Sequence, residues 1–252
     1  MVYLYRFSVT MSTPEISPSI HWGSLLHGLL IEHLPDPWPD FLHSGELRPM
    51  SQWVEIVDRS HFIWHIHSLD DDLGAALNEL LQNTERWECR HLHCTFTREK
   101  VIAGQISPAE YVRSFFVEES APRGLQLSFM TPATHKVQGR YALFPAVDLI
   151  GRGLCAHFCA LVPDFALADE ETLAQVLAHT RISRYELRSS VYCLEGSRVT
   201  GYTGRLELHF DGPDPMRRLC GVLFGMADWC GIGIKSSLGM GGCKVSALPE
   251  RR

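Results

Sequence analysis

GYTGRLELHFDGPDPMRRLCGVLFGMADWCGIGIKSSLGMGGCKVSAL, Gly201–Leu248, reads as strand, helix, glycine-rich loop and strand. Tyr202–Phe210 alternates at the two-residue period of a strand, and Pro213–Trp229 carries its apolar residues at helical spacing. Pro215 falls in the first turn of that helix, where its missing N–H is not needed. Cys243–Leu248 is the closing strand. Upstream, Leu125–Met130 reads as a strand, Val147–Leu161 as a helix, and Arg181–Leu194 as the hairpin partner of Tyr202–Phe210. The order is βαββαβ.

The first half repeats that order with different residues. Val2–Met11 alternates as a strand, and Ile20–His33 keeps Leu25, Leu26, Leu29 and Leu30 at helical spacing. Gln52–Asp58 and His61–His67 form a tight hairpin. Asp70–Asn83 opens on three acids, which suit the positive end of a helix dipole, and aligns Leu73, Ala76, Leu77 and Leu80. Trp87–Phe96 is expected as the last strand. The predicted fold is therefore α+β, two ferredoxin-like (RRM-like) βαββαβ units in tandem. Ser107–Glu118 is expected as a connecting helix. The division falls near Ala121–Gly124, giving domains 1–120 and 121–252.

Composition narrows the function classes. The 252 residues are 45% hydrophobic, enough for a sizeable core, and no apolar run reaches the ~18 residues of a membrane span. No membrane partner is expected, and the location is expected to be cytoplasmic. The eight cysteines are then read as free thiols. A net charge of −6 argues against indiscriminate binding to nucleic acid, so an RNA-binding role needs a local basic patch.

GIGIKSSLGMGG, Gly231–Gly242, is the strongest chemical signal, with five glycines, two serines and a lysine. Glycines adopt positive φ freely and let successive N–H groups converge on an anion. Gly231, Gly233, Gly239 and Gly241, with Lys235, Ser236 and Ser237, are the candidate phosphate cradle. The competing reading is a turn whose glycines serve tight backbone packing. GxxxxGK[ST] is absent, and no crossover helix follows as a dinucleotide fold requires.

Three stretches together resemble the CRISPR-associated repeat-processing endoribonucleases, the Cas-six family. The C-terminal run has that family's G-hydrophobic-G-x-K-[ST]-S-hydrophobic-G-hydrophobic-G loop. FMTPATHKVQGRYALFPAVDLI, Phe129–Ile150, is similar to its TP-x-x-x-K segment and the helix that follows. LHGLLIEHL, Leu26–Leu34, and FLHSGELRPMSQ, Phe41–Gln52, are similar to its N-terminal helix and the loop after it. The resemblance spans nearly the whole chain.

Metal-free RNA cleavage needs a base for the ribose 2′-OH, an acid for the leaving 5′-oxygen and a cation for the charge that grows on the phosphate. Histidine titrates in the right range for the first two tasks. Of thirteen histidines, His43 lies in a polar, glycine-containing stretch expected as a loop, where packing does not call for it. The resemblance places a catalytic histidine there and a basic residue a few positions on, which is Arg48. Met50 departs from the aromatic residue often found next. His27, among leucines, is the second candidate, either a core residue or a partner of His43, and His21 is the option if the register shifts. Lys136 and Gln138, in the TP-x-x-x-K region, are expected RNA contacts. Cys89-x-His91-x-His93 alternates like ligands on a strand, but a structural zinc wants four ligands and no CxxC is present.

The resemblance implies a metal-independent endoribonuclease that cuts precursor CRISPR RNA within repeats by 2′-OH attack, leaving a 2′,3′-cyclic phosphate and a 5′-OH. No cofactor is implied. The partners implied are precursor CRISPR repeat RNA and a CRISPR effector complex. The alternative is a non-catalytic guide-RNA-binding subunit of such a complex, which shares the fold.

Overall fold

The computed structural model describes residues 2–44, 47–118, 120–194 and 196–248, the side chains of 43 and 44 excepted. The first half runs β1 (Leu4–Ser12), a 3-10 turn (Ile20–Trp22), α1 (Gly23–His33), α2 (Trp38–Ser44), β2 (Met50–Ile56), β3 (His61–Ser68), α3 (Asp71–Asn83), β4 (Arg86–Cys89) and β5 (Cys94–Ile106). After α4 (Pro108–Ser114) the second half runs β6 (Gly124–Ala133), β7 (His135–Val137), β8 (Arg140–Ala142), α5 (Val147–Leu161), α6 (Glu170–Ala178), β9 (Thr180–Leu194) and β10 (Ser197–Phe210). It closes with α7 (Asp214–Gly225), α8 (Ala227–Cys230), a 3-10 turn (Ser236–Leu238) and β11 (Cys243–Ala247).

The strands order as β2-β3-β1-β5-β4 and as β11-β6-β10-β9, with β7-β8 a separate hairpin. In each large sheet the first strand of the half lies between the hairpin strand and the last strand, all antiparallel. This is the ferredoxin-like order twice over, with β4 added at one edge. Local chemistry sets the helices. Asp70 caps α3 by accepting from Leu73 N at 2.9 Å, and Leu73, Leu77 and Leu81 turn inward. Phe7, Val9, Met11, Trp64, Ile66 and Trp87 fill the core between the first sheet and α1 and α3.

Several expectations are corrected. The region expected as one strand, Trp87–Phe96, is a hairpin: β4 and β5 flank a turn that carries His91 and His93, so Cys89, His91 and His93 do not share a strand face. His43 lies in the last turn of α2, not in a loop. Pro39 in the first turn of α2 is tolerated there, which is why a proline-rich stretch still winds into helix. The helix expected over Ile20–His33 becomes α helix only at Gly23, and the one expected over Pro213–Trp229 divides at Met226.

The halves pack on each other. The Arg6 guanidinium lies 3.9 Å from the Trp229 ring centre and 3.5 Å from the Asp228 carboxylate. Ser51 Oγ donates to Trp229 O at 2.9 Å, and Lys244 pairs with Glu55 at 2.8 Å. Leu4 and Leu69 belong to the core of the second half, beside Leu125, Leu127 and Phe224. Among the described residues no helix is long and apolar enough to cross a membrane.

Candidate functional site

The glycine loop joins α8 to β11, and its backbone doubles back on itself. Ile232 N donates to Gly241 O at 2.9 Å, and Gly241 N to Pro132 O at 2.9 Å. Gly241 has φ +67°, and a Cβ there would sit 2.0 Å from Ile232 O, so no side chain fits. Gly231, Gly233 and Gly239 also take positive φ. The N–H groups of Gly231, Ile234, Gly239, Met240 and Gly242 all donate to protein acceptors. Most of the loop is thus spent on close packing, the competing reading of the sequence. Among the described residues, the N–H groups of Gly233, Lys235, Ser236 and Ser237 are left without acceptors. Lys235, at φ +61°, opens the 3-10 turn that presents the last three.

Side chains from distant segments hold that turn. Gln52, 1% exposed, donates from Nε2 to Ser237 O at 2.6 Å and to Gly23 O at 3.1 Å. Tyr192 OH accepts from Gly23 N at 3.2 Å and donates to Leu238 O at 3.3 Å. Gly23 starts α1 against the loop, where a Cβ would stand 2.2 Å from Leu238 O. Arg48 Nη1 donates to Ser237 Oγ at 3.0 Å. Tyr192 is marked by no sequence motif, and Gln52 closes the Phe41–Gln52 stretch without a role that the stretch assigns. The one available signal is an amide in the Met50–Ile56 strand, between Ser51 and the apolar pair Trp53 and Val54.

A cavity of about 570 Å³ opens beside the turn, lined by Arg48, Lys136, Lys235, Ser236, Ser237 and the α5 wall. Neither Lys136 nor Lys235 has a carboxylate partner among the described residues. Gln138 stands apart, in the two-residue Gln138–Gly139 turn with φ +48° and +81° that joins β7 to β8. His27 is 5% exposed on α1 and does not line the cavity. The side chain of His43 lies outside the described residues, and Leu47 and Arg48, just beyond it, reach the cavity. His21 accepts from Cys193 N at 3.3 Å and meets Tyr192 edge-on, with burial lowering its pKa. Of the expected catalytic residues the described structure thus brings Arg48 to the loop.

Paired ferredoxin-like units, with a cation-bearing glycine loop before the final strand, define a tandem ferredoxin-like protein with a basic cleft beside that loop. A family model described as CRISPR-associated endoribonuclease Cas6 matches residues 127–243. A CRISPR-associated endoribonuclease Cas6 of Streptococcus thermophilus is 28% identical over 226 residues, covering 90% of each chain. One of Mycobacterium tuberculosis is 25% identical over 233 residues, covering 91% of this chain and 73% of that one. Among solved structures, a Cas6 product complex has TM-score 0.80 at 18% identity, covering 98% of this chain and 100% of that one. A Thermus thermophilus Cas6 has TM-score 0.75 at 18% identity over 98% and 99% of the two chains, a likeness of fold. The chain is thus similar to CRISPR-associated endoribonuclease Cas6 proteins, over residues 127–243 by the family model and over about nine-tenths of its length by the curated relatives.

Proposed function

We propose that this protein binds precursor CRISPR RNA and cuts it once within each repeat. In the proposed reaction the ribose 2′-OH loses its proton and attacks the adjacent phosphorus. The P–O5′ bond breaks and the 5′-oxygen takes up a proton, leaving a 2′,3′-cyclic phosphate and a 5′-OH. His43 is assigned both proton transfers: its neutral imidazole takes the 2′-OH proton, and the imidazolium so formed gives a proton to the leaving 5′-oxygen. Arg48 stabilises the charge that grows on the phosphate oxygens, with Lys235 and the N–H groups of Lys235, Ser236 and Ser237 holding the RNA backbone. Lys136 is assigned to a flanking phosphate and Gln138 to RNA that reaches the hairpin tip. His27 is too buried to meet the ribose unless α1 moves, so its assigned part is support of α1.

The observation that carries this reading is the 3.0 Å contact from Arg48 Nη1 to Ser237 Oγ, which sets a guanidinium from the first half against the open turn of the second. The names of the relatives, CRISPR-associated endoribonuclease Cas6, supply the substrate class. Every proton and charge is assigned to a side chain, so a single cut is expected when purified protein meets its cognate repeat RNA in EDTA. A 3′-OH with a 5′-phosphate, or dependence on added Mg²⁺, would reject the chemistry. Tight binding with no cut would favour the non-catalytic subunit of an effector complex.

A further inference from the structure

Two histidines that this scheme leaves unused line the cavity beside the glycine loop: His135 from β7 and His157 from α5. His135 is 8% exposed, and neither of its ring nitrogens has a hydrogen-bond partner among the described residues. Burial alone pushes the His157 ring down to about 4, and burial lowers His135 as well, so both imidazoles are neutral near pH 7. A neutral imidazole carries one donor and one acceptor. Leaving both unsatisfied in a protein interior costs free energy and calls for an explanation.

The chemistry of the missing partner follows. A phosphate offers acceptors alone and would satisfy only the N–H of each ring. The edge of a nucleobase offers donors beside acceptors, and unstacked bases of single-stranded RNA are read along such edges. The cavity, about 570 Å³, is in the size range of small-molecule sites. Its α5 wall is apolar and open: a Cβ on Gly153 would meet nothing within 4 Å. We infer that this cavity is a nucleobase pocket, in which His157 and His135 read the edge of one unpaired nucleotide of the bound RNA. His157 is half-buried and meets the base first; the His135 nitrogens are sealed from solvent, so their engagement requires a local rearrangement when RNA binds. Lys136 and Lys235 at the rim take the flanking phosphates. The inference rests on the RNA-binding reading above.

The test is a set of repeat RNAs, each with one abasic nucleotide, measured for affinity with the wild type, His157→Ala and Gly153→Leu. Gly153→Leu adds bulk to the open wall from a helical position whose Cβ meets nothing within 4 Å. One abasic position should weaken binding to the wild type about tenfold or more, yet cost each variant less than about twofold, the non-additivity expected of groups in contact. Equal costs to wild type and variants at every position overturn the pocket. A second measurement uses the four ribonucleoside 5′-monophosphates, followed by imidazole ¹H–¹⁵N resonances. One nucleotide should move His157 and His135 where inorganic phosphate does not, and no such shift also overturns the pocket. If the wild type does not bind repeat RNA, the endoribonuclease reading fails and the mononucleotide titration still decides the pocket.

Discussion

The Gln52 amide donates to the Ser237 carbonyl at 2.6 Å, joining the outer strand of the first sheet to the glycine loop near the other end of the chain. Its oxygen accepts from Trp64 Nε1 at 2.7 Å, which fixes which end of the amide points at the loop. Gln52→Leu would leave the Ser237 and Gly23 carbonyls and the Trp64 indole without this partner. With each buried orphan costing about 1–3 kcal/mol and three groups affected, unfolding free energy should fall by roughly 3–9 kcal/mol. Urea unfolding checks this: the midpoint should drop at unchanged slope. An unchanged midpoint would mean that the amide does not hold the loop.

Two glycines with positive φ separate conformation from packing. Gly139, φ +81°, has nothing within 4 Å of an added Cβ, whereas the Cβ of Gly241 would meet Ile232 O at 2.0 Å. Gly139→Ala should therefore cost about 1–2 kcal/mol, the left-handed penalty alone. Gly241→Ala should cost several times more or prevent folding. Similar melting temperatures for the two variants would contradict the crossed-backbone account.

Lys235 tests the phosphate contact. Lys235→Ala should weaken binding of all RNAs similarly and lower the slope of log affinity against log salt by roughly 0.7–1. An unchanged slope in a folded variant would make the loop structural throughout.

His43 and Arg48 test the chemistry. His43→Ala should slow single-turnover cutting by about 10²–10⁴ with little change in affinity. Arg48→Ala should slow it by about 10²–10³, the effect of removing one stabilising donor. His27→Ala should act chiefly on stability, because the ring is buried on α1. Should His27→Ala alone stop cutting, α1 carries the proton transfer.

Burial, with the charges of His65 and Arg6 adding to it, holds His67 down at about 3. Between the ordinary histidine value near 6.5 and that level, the unfolded chain binds a proton that the folded chain refuses. Stability therefore falls as pH falls through this window, by about 1.4 kcal/mol per unit. His67→Gln should lose about 2 kcal/mol less than the wild type between pH 7 and pH 5 in chemical denaturation. Equal losses would assign the acid sensitivity elsewhere.

What was legible in the sequence is what local patterning encodes. The bounds of α5 match the expected Val147–Leu161, and α3 differs by one residue, because apolar stripes and caps mark both. The far part of β5 carries no strand signal in the sequence, because it is exposed along much of its length and so lacks alternation. The sequence pattern marks neither the helix α6, capped by Asp169, nor the short hairpin β7-β8. Lys235, Ser236 and Ser237 were picked out by composition, but the roles of Gln52 and Tyr192 depend on partners that only the fold brings near. The same holds for His135 and His157, whose shared cavity exists only once β7 and α5 have packed.

Leu4 and Leu69 are 1% and 6% exposed, both inside the core of the second half. The register pair Tyr5 and Ser68 sets them at one end of the first sheet. During synthesis the first half leaves the ribosome with that end bare, since most of its covering residues, from Leu125 to Cys243, have yet to be made. At about 5–20 residues per second the gap lasts on the order of ten seconds. A nascent chain stalled in that interval would carry an adhesive apolar end, so slowed translation is expected to lower the yield of folded protein.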